Sequence, residues 1–311
     1  MKTIILTLML VVPFVLTLPI EDKEITTTFN PIRDVAFLVF TRENPTDGQE
    51  VNINDMFTVR NSNYNSSRPT KMLIHGAWGD RYNPTNLILC PALLEAGDFN
   101  VIVVDWGVGA MDMENLMINY RAASVATSLF LNRLSDSGLL SFNDLTLIGH
   151  SMGAHVAGFT GKKVRGRINT IIGLDIANVG NVNDPATRLD STDAEYVQII
   201  QTETLFIAMS VPIAHANFYP GGGMFQPYCG GDFECNHMIA IDYFAESLTA
   251  VQNQFYAQRC SSMDEMRENA CTTSDSVYLM GGMPVDRELR GIFRLPVNPT
   301  RPFAVGPLSV Q

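Results

Sequence analysis

The pentapeptide Gly149-His150-Ser151-Met152-Gly153 carries the residue types needed for nucleophilic catalysis by a serine. It follows the apolar run 145–148 and precedes small, helix-compatible residues, which is the order of a strand, a sharp turn and a helix. The glycines allow this turn because a Cβ on either flank would collide with the neighbouring strand or helix. Ser151 is therefore the predicted nucleophile, and a plain glycine-containing turn is the alternative.

A serine hydroxyl also needs a histidine base and a carboxylate that orients the base. After a turn of this kind the partners follow in the order acid, then histidine. Asp175 ends the apolar run 170–174 and is the preferred acid, because ligand-facing groups gather at the carboxyl ends of strands; a turn-forming aspartate is the alternative. Of the histidines that follow, His237, beside a cysteine-closed loop, is favoured as the base. His215 is in an apolar, strand-like segment that suits a packed core histidine.

Acyl transfer further requires backbone N–H groups for the oxyanion. The Met152 amide, directly after the nucleophile, is the first predicted donor. The Ala77 amide, in the turn after an earlier apolar run, is the second, and Gly76 allows a close approach of the backbone. His75 is expected to brace this turn rather than to ionise.

The elements that must position these residues are short apolar strands that alternate with helices. Continuous apolar strands indicate a sheet covered on both faces, and the alternation predicts a mostly parallel sheet flanked by helices, hence the α/β class. No repeat or change of composition divides the chain, so one catalytic domain over residues 19–311 is expected. The predicted strands include residues 36–40, 71–74, 101–106, 170–174 and 196–200, and the predicted helices include 115–134 and 239–250.

The N-terminal residues and the overall charge limit the location and the partners. Lys2 precedes an apolar run over residues 4–16, so residues 1–18 are predicted to be a secretory signal peptide; an N-terminal membrane anchor is the alternative. The protein is therefore expected to be secreted. The net charge of −11 argues against nucleic acid as a partner and against capture by an anionic membrane.

The cysteines and one sequon fit an extracellular protein. The 5 cysteines leave one unpaired, and proximity suggests the pairs Cys229 with Cys235 and Cys260 with Cys271, with Cys90 left alone. Asn65 begins an Asn-Ser-Ser sequon in a polar stretch and is the predicted glycosylation site.

Together these motifs resemble the pancreatic-lipase gene family. The resemblance implies an α/β-hydrolase fold, a triad of Ser151, Asp175 and His237, an oxyanion hole formed by the Ala77 and Met152 amides, and catalysis that requires no cofactor. The matching segments, in the same order along the chain, are residues 71–78, 100–107, 149–161, 173–177, 188–197 and 217–248.

The family also binds a structural calcium ion in a loop that matches residues 185–193. The resemblance implies Asp190 and Asp193 as ligands, since paired carboxylates and backbone carbonyls suit a hard cation. A solvated acidic loop with a structural role is the alternative.

Two departures from the family pattern stand beside the acid and the base. The family often has proline after Asp175 and arginine where Ile239 stands. A C-terminal β-sandwich like that of the vertebrate digestive lipases is expected to be absent. Colipase is therefore not an expected partner, whereas lipid at a membrane or micelle surface is.

The loops around His237 suggest the substrate. In triglyceride lipases of the family, the disulfide loop before the catalytic histidine is a long lid, but Cys229 and Cys235 enclose only residues 230–234 here. Such short loops are similar to those of insect phospholipases A1 and predict hydrolysis of phospholipids at the sn-1 ester. The alternatives are a triglyceride or galactolipid lipase, and a non-catalytic lipid-binding member similar to insect yolk proteins.

Overall fold

A computed structural model describes residues 27–249, 254–271 and 277–307 of the chain. The predicted signal peptide, residues 1–18, lies outside the described residues. The strands are β1 (Ala36–Phe40), β2 (Gln49–Val51), β3 (Thr70–Ile74), β4 (Asn100–Asp105), β5 (Leu145–His150), β6 (Thr170–Leu174), β7 (Tyr196–Ile200), β8 (Ala216–Pro220), β9 (Tyr256–Cys260), β10 (Tyr278–Leu279) and β11 (Gly291–Leu295). The helices are α1 (Pro31–Asp34), α2 (Met56–Arg60), α3 (Pro84–Ala96), α4 (Gly107–Met111), α5 (Leu116–Asp136), α6 (Met152–Gly161), α7 (Phe233–Thr249) and α8 (Met263–Glu268).

The strands form one sheet in the order β10-β9-β11-β8-β7-β6-β5-β3-β4-β1-β2. The run from β4 through β3, β5, β6, β7 and β8 to β11 is parallel. At the margins, β1 pairs antiparallel with β2 and β4, and β9 with β10 and β11. The predicted α/β fold with a mostly parallel sheet is therefore confirmed.

Helices cover both faces of the sheet and create two cores. One core contains Leu147 of β5 with residues of α5 and α6, and the other contains Ile148 with residues of α3 and α7. Alternate residues of one strand thus point into different cores, which explains why β3 to β8 are buried along their whole length and mostly apolar.

Helix α7 differs from the sequence-based prediction because it starts at Phe233, six residues before position 239. Polar residues in this first part hide the helical periodicity. The Asp232 side chain accepts a hydrogen bond from the Cys235 amide (3.0 Å), as a residue that caps a helix N-terminus does. His237 therefore lies on the helix itself.

Both predicted disulfides are present, Cys229–Cys235 and Cys260–Cys271. Cys90 is unpaired and buried on α3, and burial raises the pKa of its thiol to about 12. Asn65 is exposed in a turn, where its side chain accepts a hydrogen bond from the Ser67 amide (2.9 Å); its glycosylation stays a prediction. Within the described ranges, no helix is long and apolar enough to cross a membrane.

Candidate active site

Ser151 occupies a strained turn between β5 and α6. Its φ of 54° lies in the left-handed region that side-chain-bearing residues rarely adopt. The flanking glycines are required: a Cβ at Gly149 would come within 2.4 Å of the Gly153 carbonyl oxygen, and a Cβ at Gly153 within 2.2 Å of the Ile74 oxygen. The predicted turn is therefore present, held on one side by a hydrogen bond from the Ser151 amide to the Leu174 carbonyl (2.9 Å).

The turn after β3 lies directly against Ser151. A Cβ at Gly76 would stand 2.9 Å from the Ser151 Cβ, so only glycine fits this approach. His75 braces the turn as expected, because the Trp106 indole donates to its carbonyl (2.8 Å) and the Trp106 amide to its Nε2 (3.2 Å). Ala77 follows in this turn, and Met152 opens α6, where backbone N–H groups lack partners within the helix. Both predicted oxyanion donors thus come from turns that border Ser151.

Asp175 lies immediately after β6 and is fully buried. Its Oδ1 accepts hydrogen bonds from the Thr202 and Glu203 amides (2.5 and 2.9 Å). Its Oδ2 is 2.6 Å from Nδ1 of His237. The backbone donors fix the carboxylate, and the carboxylate orients the imidazole so that Nε2 is left for the substrate side.

His150 contributes to the site in a way that sequence reasoning missed. Its ring lies 4.6 Å from the ring of His237, and its Nε2 is 3.1 Å from the His237 carbonyl oxygen. Burial and the neighbouring His237 lower the pKa of His150 to about 3, so the ring is neutral and donates that hydrogen bond. His150 therefore ties the serine turn to α7. The sequence carries no signal for this contact, because the two residues are 87 positions apart.

His215 is far from the constellation in the sheet. It precedes β8, at the amino end, whereas Ser151 and Asp175 follow the carboxyl ends of their strands. The Val197 amide donates to its Nδ1 (3.0 Å), and its ring stacks on Tyr196 (5.8 Å). His215 is packed and hydrogen-bonded as expected, although it is half-exposed rather than part of the core. This leaves His237 as the histidine beside Asp175.

Two buried polar residues after β7, Gln201 and Glu203, organise the loop that follows this strand, and neither was predicted. The Glu203 carboxylate accepts hydrogen bonds from the backbone amides of Leu205, Phe206 and Ile207, the last at 2.6 Å. The Gln201 side chain accepts a hydrogen bond from the Ile176 amide at Oε1 (2.8 Å) and donates one from Nε2 to the Met209 carbonyl (2.5 Å). The loop after β7 is thereby held against the segment that contains Asp175.

In the loop of Asp190 and Asp193, both carboxylates are engaged by groups of the protein, and the predicted calcium ligation stays unconfirmed. Every carboxylate oxygen already accepts a hydrogen bond: Asp190 from Arg188 (3.0 Å) and Thr192, Asp193 from Lys162 and from the Asp190 amide (2.9 Å). The described residues also contain no group of three His, Cys, Asp or Glu side chains able to hold a metal. Arg188 pairs with Asp190 and Lys162 with Asp193, so the two carboxylates have cationic partners within the protein.

We expect Lys162→Gln to destabilise the protein more at pH 8 than at pH 5. Burial raises the pKa of Asp193 to about 6 although Lys162 opposes the shift. This folded-state pKa is higher than the ordinary value of 3.8. The contribution of Asp193 to stability therefore falls as the pH rises from the ordinary pKa to the folded-state pKa. At pH values above this folded-state pKa, Lys162 compensates the buried charge of Asp193, and loss of Lys162 should cost ~3 kcal/mol of unfolding free energy.

Urea unfolding at both pH values measures this difference in stability. Lys163→Gln, an exposed neighbour, is the control, and an equal loss at both pH values would contradict the assignment.

A strained serine turn, a buried acid–histidine pair and a parallel sheet with helices on both faces together define an α/β hydrolase. The family model described as Lipase matches residues 13–287, and the chain belongs to this family. It is 32% identical to pancreatic lipase-related protein 2 of Cavia porcellus over 82% of this chain and 58% of that protein. It is 31% identical to the Homo sapiens protein of that name, over 76% and 56%. It is also 31% identical to pancreatic triacylglycerol lipase of Myocastor coypus, over 81% and 59%. The chain thus spans less than two thirds of the length of these relatives.

Proposed function

We propose that this protein hydrolyses carboxylic esters of lipids through an acyl-enzyme on Ser151. The observation that carries the proposal is the 2.6 Å contact between the buried Asp175 and His237, next to a serine held at positive φ. A lipid-binding protein without catalysis has no need of a strained serine or of a buried carboxylate that orients a histidine. We therefore favour the enzyme over the non-catalytic alternative.

The reaction follows from this geometry. Ser151 Oγ attacks the ester carbonyl carbon while His237 Nε2 takes the hydroxyl proton. The amides of Ala77 and Met152 stabilise the oxyanion, and Asp175 stabilises the imidazolium. Collapse breaks the ester bond, and the leaving alcohol takes the proton from His237. Water, activated in the same way, then hydrolyses the acyl-serine and restores the enzyme. No cofactor enters these steps.

Apolar side chains near the carboxyl ends of the strands support a lipid substrate. Loops after β3, β4, β6, β7 and β8 expose large hydrophobic residues, and an apolar rim of this kind suits a substrate presented at a membrane or micelle surface. Phe206 and Phe225 flank Phe233 at the start of α7, with ring centroids 4.5 and 6.2 Å from it. The exposed residues on these loops include Trp78, Met111, Val182, Phe206 and Phe225.

We further propose phospholipids, cleaved at the sn-1 ester, as the preferred substrates. Only Gly230, Gly231 and Asp232 separate Cys229 from α7, so the disulfide loop is too short to shield Ser151 from water. An open site admits a polar headgroup. The alternative, a triglyceride or galactolipid lipase, is favoured by the name of the triacylglycerol lipase among the relatives.

A comparison of lipids in matched mixed micelles tests these proposals. We expect phosphatidylcholine to be cleaved at least ~10-fold faster than triglyceride or galactolipid, with 2-acyl lysophospholipid as the product. Faster cleavage of triglyceride would overturn the phospholipid preference, and 1-acyl product would overturn the sn-1 assignment. Absence of hydrolysis for every ester would overturn the proposed function.

Secretion and the absence of colipase from the reaction are also part of the proposal. The two disulfides support an oxidising, extracellular location. The charge of −11 supports neutral or zwitterionic lipid rather than nucleic acid as the partner. Addition of colipase is expected to leave the hydrolysis rate unchanged.

A further inference from the structure

A row of polar side chains crosses the amino ends of three adjacent parallel strands. Lys71 of β3 pairs in register with Thr146 of β5, and Thr146 pairs with Thr170 of β6. Each is two residues before an apolar residue of the α3 and α7 core, so all three lie on the same face of the sheet. This end of the sheet is opposite to the one that carries Ser151, and none of the three takes part in the proposed reaction.

The row forms one wall of a cavity of about 250 Å³. The segment 283–287 contributes another wall, including Arg287, which is exposed to solvent. The remaining polar lining comes from Asn143, Asp144 and Asn169, in the turns that lead into β5 and β6. The cavity therefore has a buried end at Lys71 and a solvent-accessible end at Arg287.

Lys71 is an ammonium group with too few partners for its burial. It is only 7% exposed, yet in the described part of the chain Nζ makes one hydrogen bond, to Thr146 Oγ1 (3.1 Å), and one contact with the Phe99 ring (4.8 Å). Burial lowers the pKa of Lys71 to about 8, and the charge of Asp144 only partly opposes this shift. A buried ammonium without a paired anion is costly unless a ligand supplies one.

We propose that this cavity binds a small tetrahedral oxyanion, inorganic phosphate or a phosphate monoester. Lys71 Nζ has two N–H donors beyond its bond to Thr146, and the Thr146 hydroxyl, which accepts that bond, is free to donate. The Thr170 hydroxyl donates to Asn169 Oδ1 (2.7 Å) and so leaves the Asn169 amide nitrogen as a further donor.

Charge and geometry select the class of anion. Lys71 and Arg287 outnumber Asp144. Asp144 and Arg287 are both exposed and screened by solvent, so the buried Lys71 supplies the strongest charge in the cavity. Donors reach the cavity from the sheet, from the turns and from the segment 283–287, which suits a tetrahedral anion better than a planar carboxylate. Lysine acts as a point-charge donor and arginine as a forked one, and both are common phosphate ligands.

Calorimetric titration of the purified protein with inorganic phosphate, at constant ionic strength in chloride, tests the proposal. We expect saturable binding that Lys71→Met weakens by about 10-fold or more, because it removes the buried charge and keeps the side-chain length. Arg287→Gln should also weaken binding and, at an exposed position, should fold normally. Arg267→Gln removes a charge from α8, away from the cavity, and should leave phosphate binding unchanged.

Two further titrations identify the ligand. Glycerol phosphate that binds at least as tightly as inorganic phosphate would identify an ester as the ligand, and weaker binding of the ester would identify free phosphate. Acetate should bind more weakly than either. The proposal is wrong if phosphate does not bind saturably, if Lys71→Met binds it as the wild type does, or, should that variant not fold, if Arg287→Gln binds it unchanged.

Discussion

Ser151→Ala is expected to lower kcat for ester hydrolysis by ~10⁴-fold or more, because the acyl-enzyme can no longer form. The substitution removes one oxygen from a side chain that is 8% exposed, so the fold should remain intact. Hydrolysis of a labelled phosphatidylcholine, followed together with circular dichroism, measures both properties. Activity of the variant within 10-fold of the wild type would show that Ser151 is not the nucleophile.

Ser151→Gly separates the chemical role of the residue from its conformational cost. Glycine adopts the φ of 54° without strain, whereas serine and alanine do not. The variant should be as inactive as Ser151→Ala but more stable than it, by ~1 kcal/mol of unfolding free energy in urea. Equal stability of the two variants would show that the turn stores no strain.

His237→Ala is expected to lower kcat by ~10⁴-fold, because neither the serine nor the leaving alcohol could exchange its proton with a base. His237 is 8% exposed and is held by Asp175, so the change acts at the reacting centre. Initial rates on phosphatidylcholine measure the loss. Combination with Ser151→Ala should produce no further decrease, because the two residues act as a unit.

His215→Ala is the matched control for this experiment. It removes a ring stacked on Tyr196 and the acceptor for the Val197 amide, so it should lower the free energy of unfolding by ~1–2 kcal/mol. Its kcat, measured at a temperature where the variant stays folded, should lie near that of the wild type. The reverse pattern, with His215 essential and His237 dispensable, would overturn the choice of base.

The parallel sheet and the triad candidates were predictable because each rests on a local pattern. Buried parallel strands are continuous apolar runs, and Ser151 and Asp175 follow such runs directly. Of the two histidines that follow Asp175 in the sequence, only His237 is beside a loop closed by two cysteines, and it was therefore preferred over His215. The 2.6 Å contact between Asp175 and His237 agrees with that choice, and the role of both residues in turnover stays a prediction.

The residues that support the site were not predictable, because their partners are distant in sequence. His150 acts through the carbonyl of His237, 87 positions away, and no property of the pentapeptide indicates that bond. Lys162 lies 31 positions from Asp193. The local sequence therefore shows the carboxylate pair, which resembles a cation site, but not the lysine that pairs with it. Tertiary contacts decided both cases.

The C-terminal strands escaped prediction for a different reason. Strands β9 and β11 have half-exposed residues and contain Arg259 and Arg294, so neither forms a continuous apolar run. They add to the sheet beyond β8, and their half-exposed residues weaken the apolar signal. Strands near the edge of a sheet are therefore harder to predict from sequence than strands at its centre.

Cys90 gives the folded protein a single thiol, which is only 4% exposed. With the other four cysteines paired and this one buried at a raised pKa, alkylating reagents should react only when α3 detaches from the sheet. The rate of thiol labelling therefore reports how often that layer opens, without any engineered probe. The same burial hinders Cys90 from exchanging with the two native disulfides once the protein is folded.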